Sequence, residues 1–329
     1  MKKYLFTSIT AVALNIFFFF IACPHTTEAS LEELEMQVGQ EESFVPNCML
    51  YCSGNNPKYI LIVEKSTQRA YLYRGGNIDN PQGIFKCSTG KNRGAKSEKN
   101  DKKTPEGVYF INKVFSKKYL SPVYGARAFS IDYPNRWDRK LGRKGYGIWL
   151  HGTNGPLSER DTNGCIVFSN KDIIELSRYL DIHHTPIIIT QEIHVEDINS
   201  LEKQVQGIRG FLSDWLKSCK KDLNSHCTAF YSKEFYGKES ILPKANPYKM
   251  LLYKKMGIID MMINNLEVYR ENGVVLSKFN MSLTGEHFST VWESRLYLIK
   301  NKKKWKIVDE YFAEKRSSNL HMVNHYDYY

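Results

Sequence analysis

Apolar and polar positions divide the chain into zones of different period. The first is the apolar run "AVALNIFFFFIA" behind Lys2 and Lys3, ending near the small-residue stretch "TTEAS". This layout predicts a signal peptide over residues 1–29, because the run is too short to span a membrane comfortably. Cys23 offers a rival processing point as a lipoprotein site, but Phe20 stands where leucine is usual, so simple export is preferred. Residues 30–56 open on "LEELEMQV", an amphipathic helix candidate, and are too few to fold alone. They either pack on the next domain or serve as a homodimerisation arm.

Between residues 57 and 192 the period is two. "YILIVE" and "AYLY" read as strands joined by a polar turn, followed by "GIFKCSTGK", "GVYFINKVF", "YGARAFSIDYP" and "YGIWLHG". "SNKDIIELSRYL" then places Ile173, Ile174, Leu176 and Leu180 at helical spacing behind Asn170 as cap, and "TPIIIT" closes the unit as a buried strand. This is a mostly β domain with one main helix. From residue 200 to 329 the order is helices first, then a sheet. Val205, Ile208, Leu212, Trp215 and Leu216 share one helical face; "DLNSHCTAFYSKEF" and "YKMLLYKKMGIIDMMI" read as two more helices. "LEVYR", "GVVLSKFNM", "FSTVWESRLYLIK" and "KWKIVDEYF" read as four strands, with turns at Glu271–Gly273 and Asn301–Lys304. The second domain is therefore α+β.

Charge changes this picture locally. The net charge is +11, and residues 86–144 hold sixteen Lys and Arg against five Asp and Glu, an excess of eleven that leaves the rest balanced. For an exported protein such a surface points to cell-wall carboxylates or anionic lipid, not to nucleic acid. Part of the excess, "KNRGAKSEKNDKK", reads as a solvated flexible loop. Export also bears on the cysteines: Cys48 with Cys52, and Cys219 with Cys227, are either disulfides or small buried thiols. A zinc site at "CKKDLNSHC" lacks a second ligand pair.

The candidate chemistry lies in "HGTNGPLSERDTNGCIVFSN". Cys165 is either a structural thiol or a nucleophile with His151 as its base. A thiol attacks as the thiolate, so it needs a proton acceptor, and the acceptor needs a group to fix its tautomer. His151 ends one strand and Cys165 begins another, so a polar loop can bring both to one sheet edge. Gly164, lacking a Cβ, lets backbone N–H groups at Gly164 and Cys165 face a substrate oxyanion. The polar "DTNGC" separates Cys165 from Cys87, which reads as core. The histidine precedes the cysteine, the reverse of papain-like proteases.

The stretch resembles the L,D-transpeptidase catalytic family, of YkuD-like β-sandwich fold, whose motif is a histidine, a loop, then Ser/Thr-His-Gly-Cys. His151, Thr162, Gly164 and Cys165 match it. Asn163 stands where the second histidine is usual, and Val167 where an arginine often follows. The similarity runs over residues 57–192 through "KTPEGVYFI" and "YILIVEKSTQRAYLYR". With the leader, the 30–56 segment and an NTF2-like domain over 200–329, the layout resembles periplasmic L,D-carboxypeptidases that set the shape of curved and helical Gram-negative cells. The resemblance implies removal of D-alanine from peptidoglycan tetrapeptides at meso-diaminopimelate. Cys165 would be the nucleophile, His151 the base, and the Gly152 carbonyl the group that orients its ring. Thr162 and Asn163 would border the substrate, and Arg127, Arg136 and Arg139 are candidates for its carboxylates. Trp149 and Trp137 would wall the site. The chemistry needs no cofactor and no metal. The NTF2-like domain would hold a pocket for an unknown ligand. Cross-linking by the same acyl-enzyme, and an inactive wall-binding scaffold, are the alternatives.

Overall fold

The computed structural model describes residues 44–54, 57–221, 227–233 and 258–314. The leader, Cys23, the 31–38 helix and most of the second and third helices expected after residue 221 lie outside them. Two sheets dominate. The first has eight strands, β3 (Tyr59–Glu64), β4 (Arg69–Arg74), β5 (Gly83–Lys86), β6 (Gly107–Ser116), β7 (Arg127–Ile131), β8 (Trp149–His151), β9 (Ile166–Val167) and β10 (Pro186–Thr190). Their order is β5-β4-β3-β10-β6-β7-β8-β9. Pairing is antiparallel except for β10 on β3 and β8 on β9. The apolar run of β10 sits in mid-sheet and is buried throughout, as a strand covered on both faces must be. Bridges Ser88↔Val167 and Gly90↔Thr162 stitch the two ends of the sheet together, so it curls back on itself.

Alternation sorts the strands onto two faces. Leu61, Val63, Ile111, Phe129, Leu150, Ile166 and Ile189 point inward, where Ile173 and Leu176 of a helix at Asn170–Leu176 join them. Ser169, not Asn170, caps that helix, accepting from Asp172 N–H at 3.1 Å. A five-residue helix α1 (Arg136–Lys140), unforeseen in the sequence, is closed by a capping box between Asn135 and Asp138; the 170–176 helix is α2. Ile60, Ile62, Val108, Phe110 and Ile188 point outward.

That outer face packs on the second sheet, which runs β15-β14-β13-β12-β2: β2 (Met49–Cys52), β12 (Ile258–Glu271), β13 (Val274–Gly285), β14 (Ser289–Asn301) and β15 (Lys304–Glu314). Its other face is covered by α3 (Ile198–Lys221), whose Leu201, Val205, Ile208, Leu212, Trp215 and Cys219 are buried at helical spacing. Hairpin β12–β13 turns on Asn272 (φ 48°) and Gly273 (φ 75°), the two positive φ values of a tight hairpin. The stretch from Ile258 to Ile263, expected to be helical, is strand. It pairs with β13, and Met261 turns in while the next residue, Met262, is 52% exposed. Residues 44–52 join the strands C-terminal to them: β1 (Phe44–Pro46) pairs with β11 (Val195–Asp197), and β2 is an edge strand of the second sheet. Cys219 and Cys227 form a disulfide, whereas Cys48 and Cys52 are free, Cys48 being buried.

Candidate active site

His151 ends β8, and Cys165 immediately precedes its parallel neighbour β9. Register pairs Leu150 with Ile166 and His151 with Val167. Leu150 and Ile166 face the interior, so Trp149, His151, Cys165 and Val167 fall on the outer face, on strands spaced about 4.8 Å apart. With about 3.3 Å per residue along the strand, the Cα atoms of His151 and Cys165 lie roughly 8 Å apart, a gap their side chains can bridge. This is also the face that packs on the second sheet farther along, at β3, β6 and β10.

The imidazole is fixed by its neighbours. Nδ1 lies 2.7 Å from the Gly152 carbonyl. A carbonyl only accepts, so Nδ1 carries the proton and Nε2 of the neutral ring is the acceptor. Tyr124 meets the ring edge-on, with centroids 5.0 Å apart. Burial lowers the His151 pKa below its ordinary 6.5, with the Gly152 bond opposing. Gly152 is glycine because a Cβ there would come within 2.4 Å of Asn170 Oδ1. That same oxygen accepts from Ala126 N–H (2.8 Å), and Asn170 Nδ2 donates to Asn154 Oδ1 (2.8 Å). Asn170 therefore ties three loops around the histidine.

Cys165 is half-buried, and its thiol donates to Gly147 O at 3.6 Å. Burial raises its pKa above 9.0, opposed by a backbone hydrogen bond from Trp149 and by the charge of Lys96. Both shifts favour the uncharged forms, imidazole and thiol, over an imidazolium–thiolate pair.

The loop before the sulfur is pinned by hydroxyls. Thr162 Oγ1 donates to Cys165 O (2.7 Å) and accepts from Gly164 N–H (3.0 Å). The Gly164 N–H, expected to face an oxyanion, is thereby engaged by Thr162. Gly164 is required for a different reason. Its φ is 126°, and a Cβ would approach the Lys103 carbonyl to 2.7 Å. Its own carbonyl accepts from Thr104 Oγ1 (2.9 Å), which in turn accepts from Gly90 N–H (2.8 Å). Beneath lie Lys65, bound to Glu106 (2.8 Å) and Thr104 O (3.0 Å), and Gln68, bound to Thr89. Nothing in the spacing of Lys65, Gln68, Thr89 and Thr104 marked them, since the bonds Lys65–Thr104, Gln68–Thr89 and Thr104–Gly164 span 39, 21 and 60 residues.

Other expected residues divide sharply. Trp149 stacks on Phe115 (4.6 Å, 18°) and lies against Tyr124 (4.8 Å), forming an aromatic wall beside His151. Asn163 is exposed on the loop. Trp137 is not at this site; it stacks on Tyr297 of β14. Arg136 is spent on Asp309 of β15, with two hydrogen bonds at 3.0 and 3.2 Å. Arg139 donates to Pro134 O and, with Arg136, lines a cleft of about 230 Å³ shared with Arg295, Tyr297 and Tyr311, which contains neither Cys165 nor His151. Arg127 is half-buried, and alternation puts it on the face of Phe129, opposite that of His151. Arg136 and Arg139 therefore line a cleft other than the one at Cys165 and His151, because α1 directs them toward the second sheet, whereas the Arg127 carbonyl accepts from Gly152 N–H (3.1 Å), beside His151. The lysine-rich loop is folded as well: Asp101 accepts from Lys96 Nζ (2.6 Å), Ser97 N–H (2.9 Å) and Lys103 N–H (3.1 Å).

Residues 58–189 match the YkuD model, the L,D-transpeptidase catalytic domain. This chain carries an L,D-transpeptidase catalytic domain. No curated protein matches the chain. Two solved structures share its fold well beyond that domain. Bd1075 of Bdellovibrio bacteriovorus aligns with TM-score 0.70 at 24% identity, over 84% of this chain and 100% of that one. The helical cell shape determining protein Pgp2 of Campylobacter jejuni aligns with TM-score 0.63 at 21% identity, over 85% and 98%. Within the L,D-transpeptidase domain, Asn163 and Val167 depart from the family pattern, and Val167 sits directly opposite His151.

Proposed function

We propose that the chain is a peptidoglycan L,D-carboxypeptidase of the cell envelope. Cys165 attacks the carbonyl of the L-centre of meso-diaminopimelate and releases the terminal D-alanine. His151 Nε2 takes the thiol proton as the sulfur bonds to carbon. The Cys165 N–H donates to the oxyanion, a type of contact typically worth about 3–4 kcal/mol. The C–N bond then breaks as His151 returns the proton to the departing amine. Water, deprotonated by the same imidazole, hydrolyses the thioester and frees the tripeptide. The observation carrying this reading is the Gly152 carbonyl 2.7 Å from His151 Nδ1, which turns the acceptor nitrogen away from the backbone on the strand paired with that of Cys165.

Hydrolysis is preferred to cross-linking on the resemblance in layout to the L,D-carboxypeptidases, and the fold likeness to a helical cell shape determining protein supports a role in cell shape. The leader-like stretch supports export to the periplasm. The helix-and-sheet portion after residue 198 supports an NTF2-like accessory domain. Cross-linking remains the second reading, since the matching family is named for it. Incubating the purified protein with tetrapeptide and pentapeptide muropeptides and weighing the products separates these readings. Loss of one alanine from the tetrapeptide, abolished by Cys165→Ala, is the expected result. Joined stems would favour transpeptidation, and unchanged muropeptides would reject both.

A further inference from the structure

One cation in the lysine-rich loop differs from its neighbours. Lys91, Arg93, Lys99 and Lys102 are exposed, but the Lys96 side chain is 3% exposed. Its ammonium donates to Asp101 Oδ1 (2.6 Å) and to Glu98 O (2.8 Å). The Lys96 stem packs against Gly145, where a Cβ would lie 3.0 Å from Cε and 3.5 Å from Nζ. Two residues farther, Gly147 O accepts the Cys165 thiol. The ammonium is thus seated behind the segment that holds the sulfur, out of bulk water, where charge is weakly screened.

We infer that Lys96 is a positioning residue for the thiol chemistry: its buried ammonium supplies the positive field that favours the charged sulfur once His151 takes the thiol proton. The inference rests on Cys165 being the reacting group. The direction of the Lys96 effect on the thiol agrees, since it opposes the upward push of burial. Other groups around the sulfur carry less charge. Strand β8 presents Trp149 N–H and a neutral His151; the 145–147 segment presents a carbonyl; Lys103 offers its backbone carbonyl next to Gly164. Asp101 is the attenuator, an opposite charge 2.6 Å from the ammonium.

A field and a scaffold make opposite forecasts, and the paired variants separate them. The rate of Cys165 alkylation by iodoacetamide is measured against pH on the full chain, with Cys165→Ala as the blank for Cys23, Cys48, Cys52 and Cys87. Lys96→Met should slow alkylation at pH 7.5 about threefold or more and move the inflection up, because less thiolate is present. Asp101→Asn keeps one acceptor oxygen for Ser97 and Glu98 N–H, gives up the one that takes Lys103 N–H, and drops the counter-charge, so it should speed alkylation and move the inflection down. Lys96→Arg should stay near wild type. If Lys96→Met loosens the loop, seen as an early thermal transition, the Asp101→Asn and Lys96→Arg arms carry the decision. Shifts in the same direction for both charge-removing variants, or no shift in either, overturn the inference. No muropeptide enters the assay, so its failure is distinct from failure of the carboxypeptidase reading.

Discussion

A buried, neutral imidazole sets the pH behaviour expected of the reaction. His151 must be unprotonated to accept the thiol proton, and burial holds its pKa below 6.5. kcat/KM should therefore be level through neutrality and fall only on acidification below about 6.5. The thiol, raised above 9.0, adds no inflection in the neutral range. A pH profile for muropeptide cleavage checks this; an acid inflection above 7 would contradict a buried, carbonyl-held histidine. Gly152 gives a second residue-scale test. A Cβ there would meet Asn170 Oδ1 at 2.4 Å, Ile173 Cγ2 at 3.0 Å and Ala126 N at 3.2 Å. Gly152→Ala should cost about 1–3 kcal/mol in urea unfolding, as overpacking does, and lower kcat at least about tenfold by moving the carbonyl that fixes the ring. Wild-type kcat in a folded variant would show that Gly152 does not set the ring. Cys165 and His151 were legible in the sequence because a polar turn before an apolar strand is an odd place for a core thiol. Tyr124 and Asn170 were not, since they reach His151 only after the 120–126 loop folds back.

At the scale of elements, strands that alternate or run wholly apolar are visible in the sequence: β3, β6 and β10 begin and end within a residue or two of where their patterns do. The stretch "GIIDMMI" misleads because its apolar residues fit a helix as well as an edge-to-edge ladder, and only pairing with β13 decides. The bond between Cys219 on α3 and Cys227 ties the end of that helix to the following turn. Removing it with Cys219→Ser and Cys227→Ser should lower the unfolding free energy by about 2–3 kcal/mol, the loop-closure value for so short a ring. The bond lies in the apolar cluster under α3, on the face of the second sheet turned away from the first, so cleavage should be unaffected where the protein is folded. Urea midpoints with and without reductant measure this, and equal midpoints would contradict it.

For the molecule as a whole, the two sheets are latched by polar contacts as well as by the apolar layer between them. Arg136 reaches Asp309, Arg295 reaches Asp132 (3.4 Å), and Asn272 reaches Glu106 (3.4 Å). Sequence alone cannot give such pairs, with 163 to 173 residues between partners, so Arg136 reads there as a free carboxylate binder. Arg136→Ala strands the Asp309 carboxylate, 10% exposed, at a cost of about 1–3 kcal/mol. KM for muropeptide should not change. A tenfold rise in KM with unchanged stability would return Arg136 to the substrate.

The most direct measurement is of the covalent link itself. Wild-type protein and Cys165→Ala are mixed with tetrapeptide muropeptide, quenched in acid within the first turnovers, digested and mapped by mass. A tripeptide acyl group on the peptide containing Cys165, absent from the variant, is the predicted result. D-Alanine release that persists in Cys165→Ala, or an adduct on a different side chain, would contradict a Cys165 nucleophile.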